Sequence, residues 1–193
     1  MGILEPERTD TGPHPRKGPR FDGPLTLKRL EQIFQDCVDF TKRPVSLGEG
    51  GACTLTLCYL SGMVKMERVS DYVLRPLAQD EALARCGTPR QAMEEMMGGA
   101  LYNLSAAERT TLDEAAFDLV AGWCLMFFPG ESAVLSLFVG TEEKRSISSP
   151  SNETVLKGSR DAFVESLRTN TSIVRRHLKT PELRIREQVV GRQ

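Results

Sequence analysis

Asp161 and Glu165 stand one helical turn apart in Arg160-Asp161-Ala162-Phe163-Val164-Glu165, a spacing at which two carboxylates share a helix face and could divide general-acid and general-base work. Arg160, Arg168 and Arg175 lie within one or two turns of them, so the pair reads as ion-pair partners rather than proton carriers. His14 lies in a proline-rich tail, and His177 sits beside Arg175 and Arg176, a poor setting for binding a metal cation. No Ser-His-acid, H-E-x-x-H, Walker or Rossmann pattern occurs, so no catalytic residue, metal or cofactor is assigned. Cys37, Cys53, Cys58, Cys86 and Cys124 form no C-x-x-C pair. Their odd number, without a signal peptide, points to reduced thiols in a cytosol-like compartment. If Cys53 and Cys58 share a strand, their odd separation puts the sulfurs on opposite faces, which disfavours a shared metal.

The elements that would position these groups follow from periodicity. Residues 1–24 hold five prolines and four glycines with few apolar side chains, and such a stretch reads as a disordered tail. From Thr26, a helix cap, Leu27, Leu30, Ile33, Phe34, Cys37 and Val38 recur at three and four, which predicts a helix. The segment from Asp39 through Pro44 and the glycines at 48, 50 and 51 reads as a loop, and 52–60 alternates like a strand. Those glycines are no phosphate cradle, since a strand follows them and no Gly-Lys-Ser/Thr does. Glu67 to Leu74 predicts a short helix stopped by Pro76. Thr88-Pro89-Arg90-Gln91 and Thr111-Leu112-Asp113-Glu114 are capping boxes of two more helices, closed by Gly98-Gly99 and Gly122. Leu112, Ala116, Leu119 and Val120 form the buried stripe of the second. The apolar run from Leu119 to Val139 is broken by Pro129-Gly130-Glu131, so it reads as a hairpin of 123–128 and 133–139 rather than one of the ~20-residue helices that span a membrane.

Ser159 is the expected cap of one long amphipathic helix, with Asp161 in its first turn and Arg175, Arg176 and Lys179 in its last. Phe163, Leu167, Val174 and Leu178 make its apolar stripe, interrupted by Asn170 and Thr171. A final strand is expected at 182–190. The overall expectation is α/β (α+β): a first subdomain over 25–140, a connection over 141–158, and a second subdomain over 159–193. That second subdomain reads as incomplete, because one helix and one strand cannot cover both their faces; further strands would lie after Gln193 or in a neighbouring chain.

Pro150, Glu153, Gly158, Arg160, Asp161, Phe163, Glu165, Asn170, Arg175 and Arg176 occur in an order that closely resembles the signature of the A subunit of bacterial spore germinant receptors, the GerA family. Tyr59 to Val64 and Arg75-Pro76-Leu77 resemble that family too, and the likeness runs over about residues 26–193. Ala162, His177 and Lys65 depart from its commoner residues. The resemblance implies the N-terminal cytoplasmic region of a spore inner-membrane protein, two small α/β subdomains ahead of a multi-helix membrane domain. It also implies B and C subunits and other A subunits as partners, and a non-enzymatic scaffold or coupling role in nutrient-triggered ion release and germination. The group associated with dipicolinic-acid channels shares the signature.

Residues 157–193 carry nine Lys or Arg against four Asp or Glu, a net of +5 in a chain of net charge −1. An acidic neighbouring subunit and an anionic membrane surface are the partners this suggests. Nucleic acid ranks last, because exposed aromatics and a recognised binding module are missing. A soluble nutrient sensor that binds its ligand between two lobes is the alternative reading.

Overall fold

In the computed structural model, the described residues are 20–47, 53–100, 105–140 and 163–191. In chain order they form α1 (Leu27–Ile33), β1 (Phe40–Ser46), β2 (Thr54–Leu60), α2 (Met66–Val69), α3 (Arg75–Gln79), α4 (Glu81–Ala84), α5 (Pro89–Glu95), β3 (Ala106–Arg109), α6 (Leu112–Val120), β4 (Trp123–Phe127), β5 (Val134–Phe138) and α7 (Leu167–His177). The strands make one antiparallel sheet in the order β1-β2-β4-β5-β3. This is the mixed α/β class expected.

Helices cover both faces of the sheet. On one face Leu55, Leu57, Met126 and Leu135 pack against Val69, Val73, Leu77 and Met93 from α2 to α5. On the other, Cys58, Leu60, Leu125 and Val134 pack against Leu30 and Ile33 of α1 and Ala115, Ala116 and Leu119 of α6. Cys53 and Cys58 fall in these two separate cores, as strand parity requires. Thr26 caps α1 by accepting from the Arg29 amide. Thr111 and Glu114 form a complete capping box on α6, whose buried residues include the four-residue stripe expected. The hairpin of β4 and β5 is also as expected.

Several local expectations are corrected. Phe40–Ser46 is a strand, not a loop. It is an edge strand in which Pro44 sits opposite Thr56, a position where a missing amide costs no ladder bond to a further strand. Ala106–Arg109 forms the other edge. Pro76 does not stop a helix: the π turn Ser70–Leu74 widens the backbone just before it, and α3 carries the proline in its first turn, where the lost donor and the ring are tolerated. Val38 is exposed rather than part of the α1 stripe. Residues 20–24 belong to the folded unit, since the Arg20 and Phe21 amides donate to Asp113 and Leu25 is buried. The strand expected at 182–190 does not form: among the described residues these join no strand ladder.

Candidate docking site

Within the described residues of the signature segment, 163–176, the helix meets the sheet at the ends of β1 and β2. α7 begins at Leu167, not after Ser159. Ser166 caps it by accepting from the Thr169 amide at 3.3 Å. Asn170 then prevents the helix from extending backward: its Nδ2 donates to the Val164 carbonyl at 2.7 Å, and its Oδ1 accepts from the Val164 amide at 2.8 Å. A side chain that engages both backbone groups of one residue removes them from helical bonding.

At the other end of α7, Arg175 is fully buried. Its Nε and Nη2 each donate to an Asp39 carboxylate oxygen at 2.8 Å, and Nη1 donates to the Leu183 carbonyl at 3.3 Å. Asp39 sits between the exit of α1 and the start of β1. Asp36 adopts a left-handed conformation, φ 61°, which turns the chain there. The Asp39 carbonyl accepts from the Ser61 amide at 2.8 Å, tying this turn to the one that follows β2. Two further bonds continue the contact, from the Val38 amide to the Ile185 carbonyl at 2.9 Å and from the Cys37 thiol to the Leu183 carbonyl at 3.5 Å.

Gly62 lets the helix approach closely. A Cβ at that position would lie 2.7 Å from Ser172 Oγ and 3.4 Å from Ser172 Cα. A groove of about 910 Å³ runs beside this contact, with Thr41, Tyr59, Ser61, Arg168, Thr169 and Arg186 among its walls. Charge-assisted bonds made away from water are strong, yet a buried ion pair also carries a desolvation penalty. The arrangement therefore favours one orientation of α7 more than it adds stability. In contrast, the buried thiols are chemically quiet: burial, with Glu31 nearby, pushes Cys58 up to about 12, and burial also raises Cys124.

Of the residues singled out from sequence, Pro150, Glu153, Gly158, Arg160 and Asp161 lie outside the described residues. The Asp161–Glu165 pair is therefore only half within them, and Arg175, one of its three expected guanidinium partners, is engaged by Asp39 instead. Phe163 and Glu165 are exposed and precede the helix. Asn170 holds Val164, while Arg176 lies half-buried and His177 exposed. Asp39 went unrecognised. An acid between Val38 and Phe40 was a weak cue to burial, and its partner lies 136 residues away. Among the described residues, no helix is long and apolar enough to cross a membrane.

These features define a sheet domain with a signature helix docked across its end. The profile of the family described as Bacillus/Clostridium GerA spore germination protein matches residues 28–193. The chain belongs to the GerA family. It is 32% identical over 159 residues to the uncharacterized membrane protein YfkQ of Bacillus subtilis, covering 82% of this chain and 30% of that protein. It is 31% identical over 155 residues to spore germination protein KA of Bacillus subtilis, covering 79% and 27%. The chain thus spans less than a third of the length of these relatives. Its fold matches the crystal structure of the N-terminal domain of the A subunit of the Bacillus megaterium spore germinant receptor GerK3, with a TM-score of 0.62 at 21% identity, covering 80% of this chain and 54% of that one.

Proposed function

We propose that this chain is the N-terminal part of a spore germinant receptor A subunit and serves there as a non-enzymatic scaffold and coupling element. In this reading it works in a membrane complex with B and C subunits and other A subunits, on the core-facing side of the spore inner membrane. A nutrient signal received elsewhere in the complex is passed through it toward ion release and germination. The observation that carries the reading is the family match over residues 28–193, within which Arg175, one of the signature arginines, is the buried link between α7 and the sheet. A helix held in one orientation by a bidentate pair can pass on a displacement as a rigid element.

The groove beside α7 favours a second reading, in which the domain itself binds a small nutrient. Calorimetry on this chain with amino acids, sugars and nucleosides separates the two: saturable binding supports the sensor. Co-purification of the full-length subunit with its B and C partners, weakened by substitutions at the α7 contact, supports the scaffold.

A further inference from the structure

Among the residues of α7, only Ile173 and Arg175 are buried. Neither apolar core of the sheet domain includes a residue from 163–191. The helix therefore adds little to the burial that holds the domain together. Leu167 and Arg168, at its start, line the groove, and Leu167 is 61% exposed. This end of the helix overhangs the groove instead of packing on the sheet.

What holds the segment is polar and falls on a few positions. Besides the bidentate pair of Arg175 and Asp39, the Val38 amide donates to the Ile185 carbonyl and the Cys37 thiol to the Leu183 carbonyl. Arg186 pairs with Asp36 at 2.7 Å, and Arg20 Nη1 donates to the Thr180 hydroxyl at 3.4 Å. When two surfaces part, such bonds are exchanged for bonds to water, so their net worth is small. The same holds for the buried pair. Removing one partner strands a charge, whereas lifting the helix hydrates both at once and relieves the desolvation penalty of docking. The sheet cores, by contrast, open only with loss of apolar burial. Other bonds travel with the helix: Arg175 donates to the Leu183 carbonyl at 3.3 Å, and the Leu183 amide to the Thr180 carbonyl at 3.3 Å.

We propose that residues 163–191 form a releasable arm that lifts off the sheet end as one unit, while the sheet and α1 to α6 stay folded, with Arg175 and Asp39 as its latch. Release removes one wall of the groove and brings both latch residues to water. The motion is a property of this chain and does not rest on the receptor reading.

Cys37 reports the motion without any substitution. It is 8% exposed and its thiol meets Leu183 of the arm, whereas Cys58 and Cys124 are fully buried in the sheet cores. Below the urea unfolding transition, iodoacetamide is expected to label Cys37 at least about tenfold faster than Cys58 and Cys124, with a shallower dependence on urea. Mass spectrometry reads each site separately. A lock supplies the control. A Cβ at Gly62 would lie 3.4 Å from Ser172 Cβ, near the ~3.8 Å typical of a disulfide. Gly62→Cys with Ser172→Cys is made in a chain that also carries Cys86→Ser, which removes the half-buried thiol. Oxidation of this variant is expected to slow Cys37 labelling at least about tenfold, and reduction to restore it. Amide hydrogen exchange needs no variant: residues 167–177 should exchange through a smaller opening than β2 and β4. Cys37 labelling in step with Cys58 and Cys124 overturns the proposal. So does labelling of Cys37 that the oxidised lock leaves unchanged, or α7 amides that exchange only together with those of β2 and β4.

Discussion

Arg175 and Asp39 hold each other in a closed fork, both guanidinium-to-carboxylate distances 2.8 Å, with Arg175 0% and Asp39 7% exposed. The most buried side chain of α7 is therefore a charged one. The helix is placed by a directional polar contact, while the apolar residue buried with it, Ile173, supplies a small non-directional share. Such a contact tolerates one geometry and loses its compensation when either partner is removed.

Asp39→Asn keeps the shape of the site but leaves a buried guanidinium facing a neutral amide. It should lower stability by ~3 to 5 kcal/mol, as should Arg175→Ala, and the double substitution Asp39→Leu with Arg175→Met should recover most of the loss. The exposed pair of Arg186 and Asp36, with side chains 70% and 50% exposed, is the internal control: Arg186→Ala should cost only ~0 to 1 kcal/mol. Urea unfolding of the four variants checks this. A double variant no better than the singles would show that the ion pair itself, rather than the stranding of one partner, holds α7.

Gly62→Ala should push α7 away from the turn after β2, because the new methyl would stand 2.7 Å from Ser172 Oγ, well inside contact distance. The next obstacles, Ser172 Cα and Cβ, lie at 3.4 Å, so Ser172→Ala should rescue much of the loss. Amide hydrogen exchange in residues 167–177 reads the effect. Faster exchange in Gly62→Ala and near-normal exchange in the double variant is the expected pattern.

The sheet and its helices were largely legible because their signals are local. Alternation marked β2, the Thr111-Leu112-Asp113-Glu114 box marked α6, and Pro129-Gly130 marked the hairpin. What failed was decided by tertiary position. The segment leading through Pro44 to the glycines read as a connection, yet β1 lies there at the sheet edge, and Pro76 argued for a stop that a π turn made unnecessary. In α7 only Leu167 and Val174 of the expected stripe lie within the helix, and the residues it buries are Ile173 and Arg175: periodicity shows which residues share a face and cannot show which face is docked. That depended on Asp39, for which no local pattern names a partner 136 residues away.

Ser136 has a fully buried hydroxyl in β5 with no hydrogen-bond partner among the described residues, in a strand whose neighbours are β3 and β4. An unpaired buried hydroxyl has lost water without a replacement bond. Ser136→Ala should therefore be neutral or stabilising by up to ~1 kcal/mol, and urea unfolding at neutral pH measures it. A loss above that would mean that the hydroxyl is satisfied in solution by a group such as a buried water.

The thiols set the alkaline limit of the fold. Burial raises Cys58 to about 12 and raises Cys124 as well, whereas in the unfolded chain both ionise near the ordinary thiol value of about 8.5. Above that value the unfolded chain has released protons that the native state still binds, so stability must fall as pH rises. Each thiol contributes a slope of about 1.4 kcal/mol per pH unit until its native value is reached. Lys42, raised chiefly by its hydrogen bond to Glu31, acts in the same direction but is solvent-screened. Urea unfolding between about pH 8 and about pH 11 should show the decline, and Cys58→Ala should remove about one thiol's share of the slope while costing some stability at neutral pH through the lost sulfur packing. A slope identical to that of the parent chain would mean that Cys58 already reaches water in the native state.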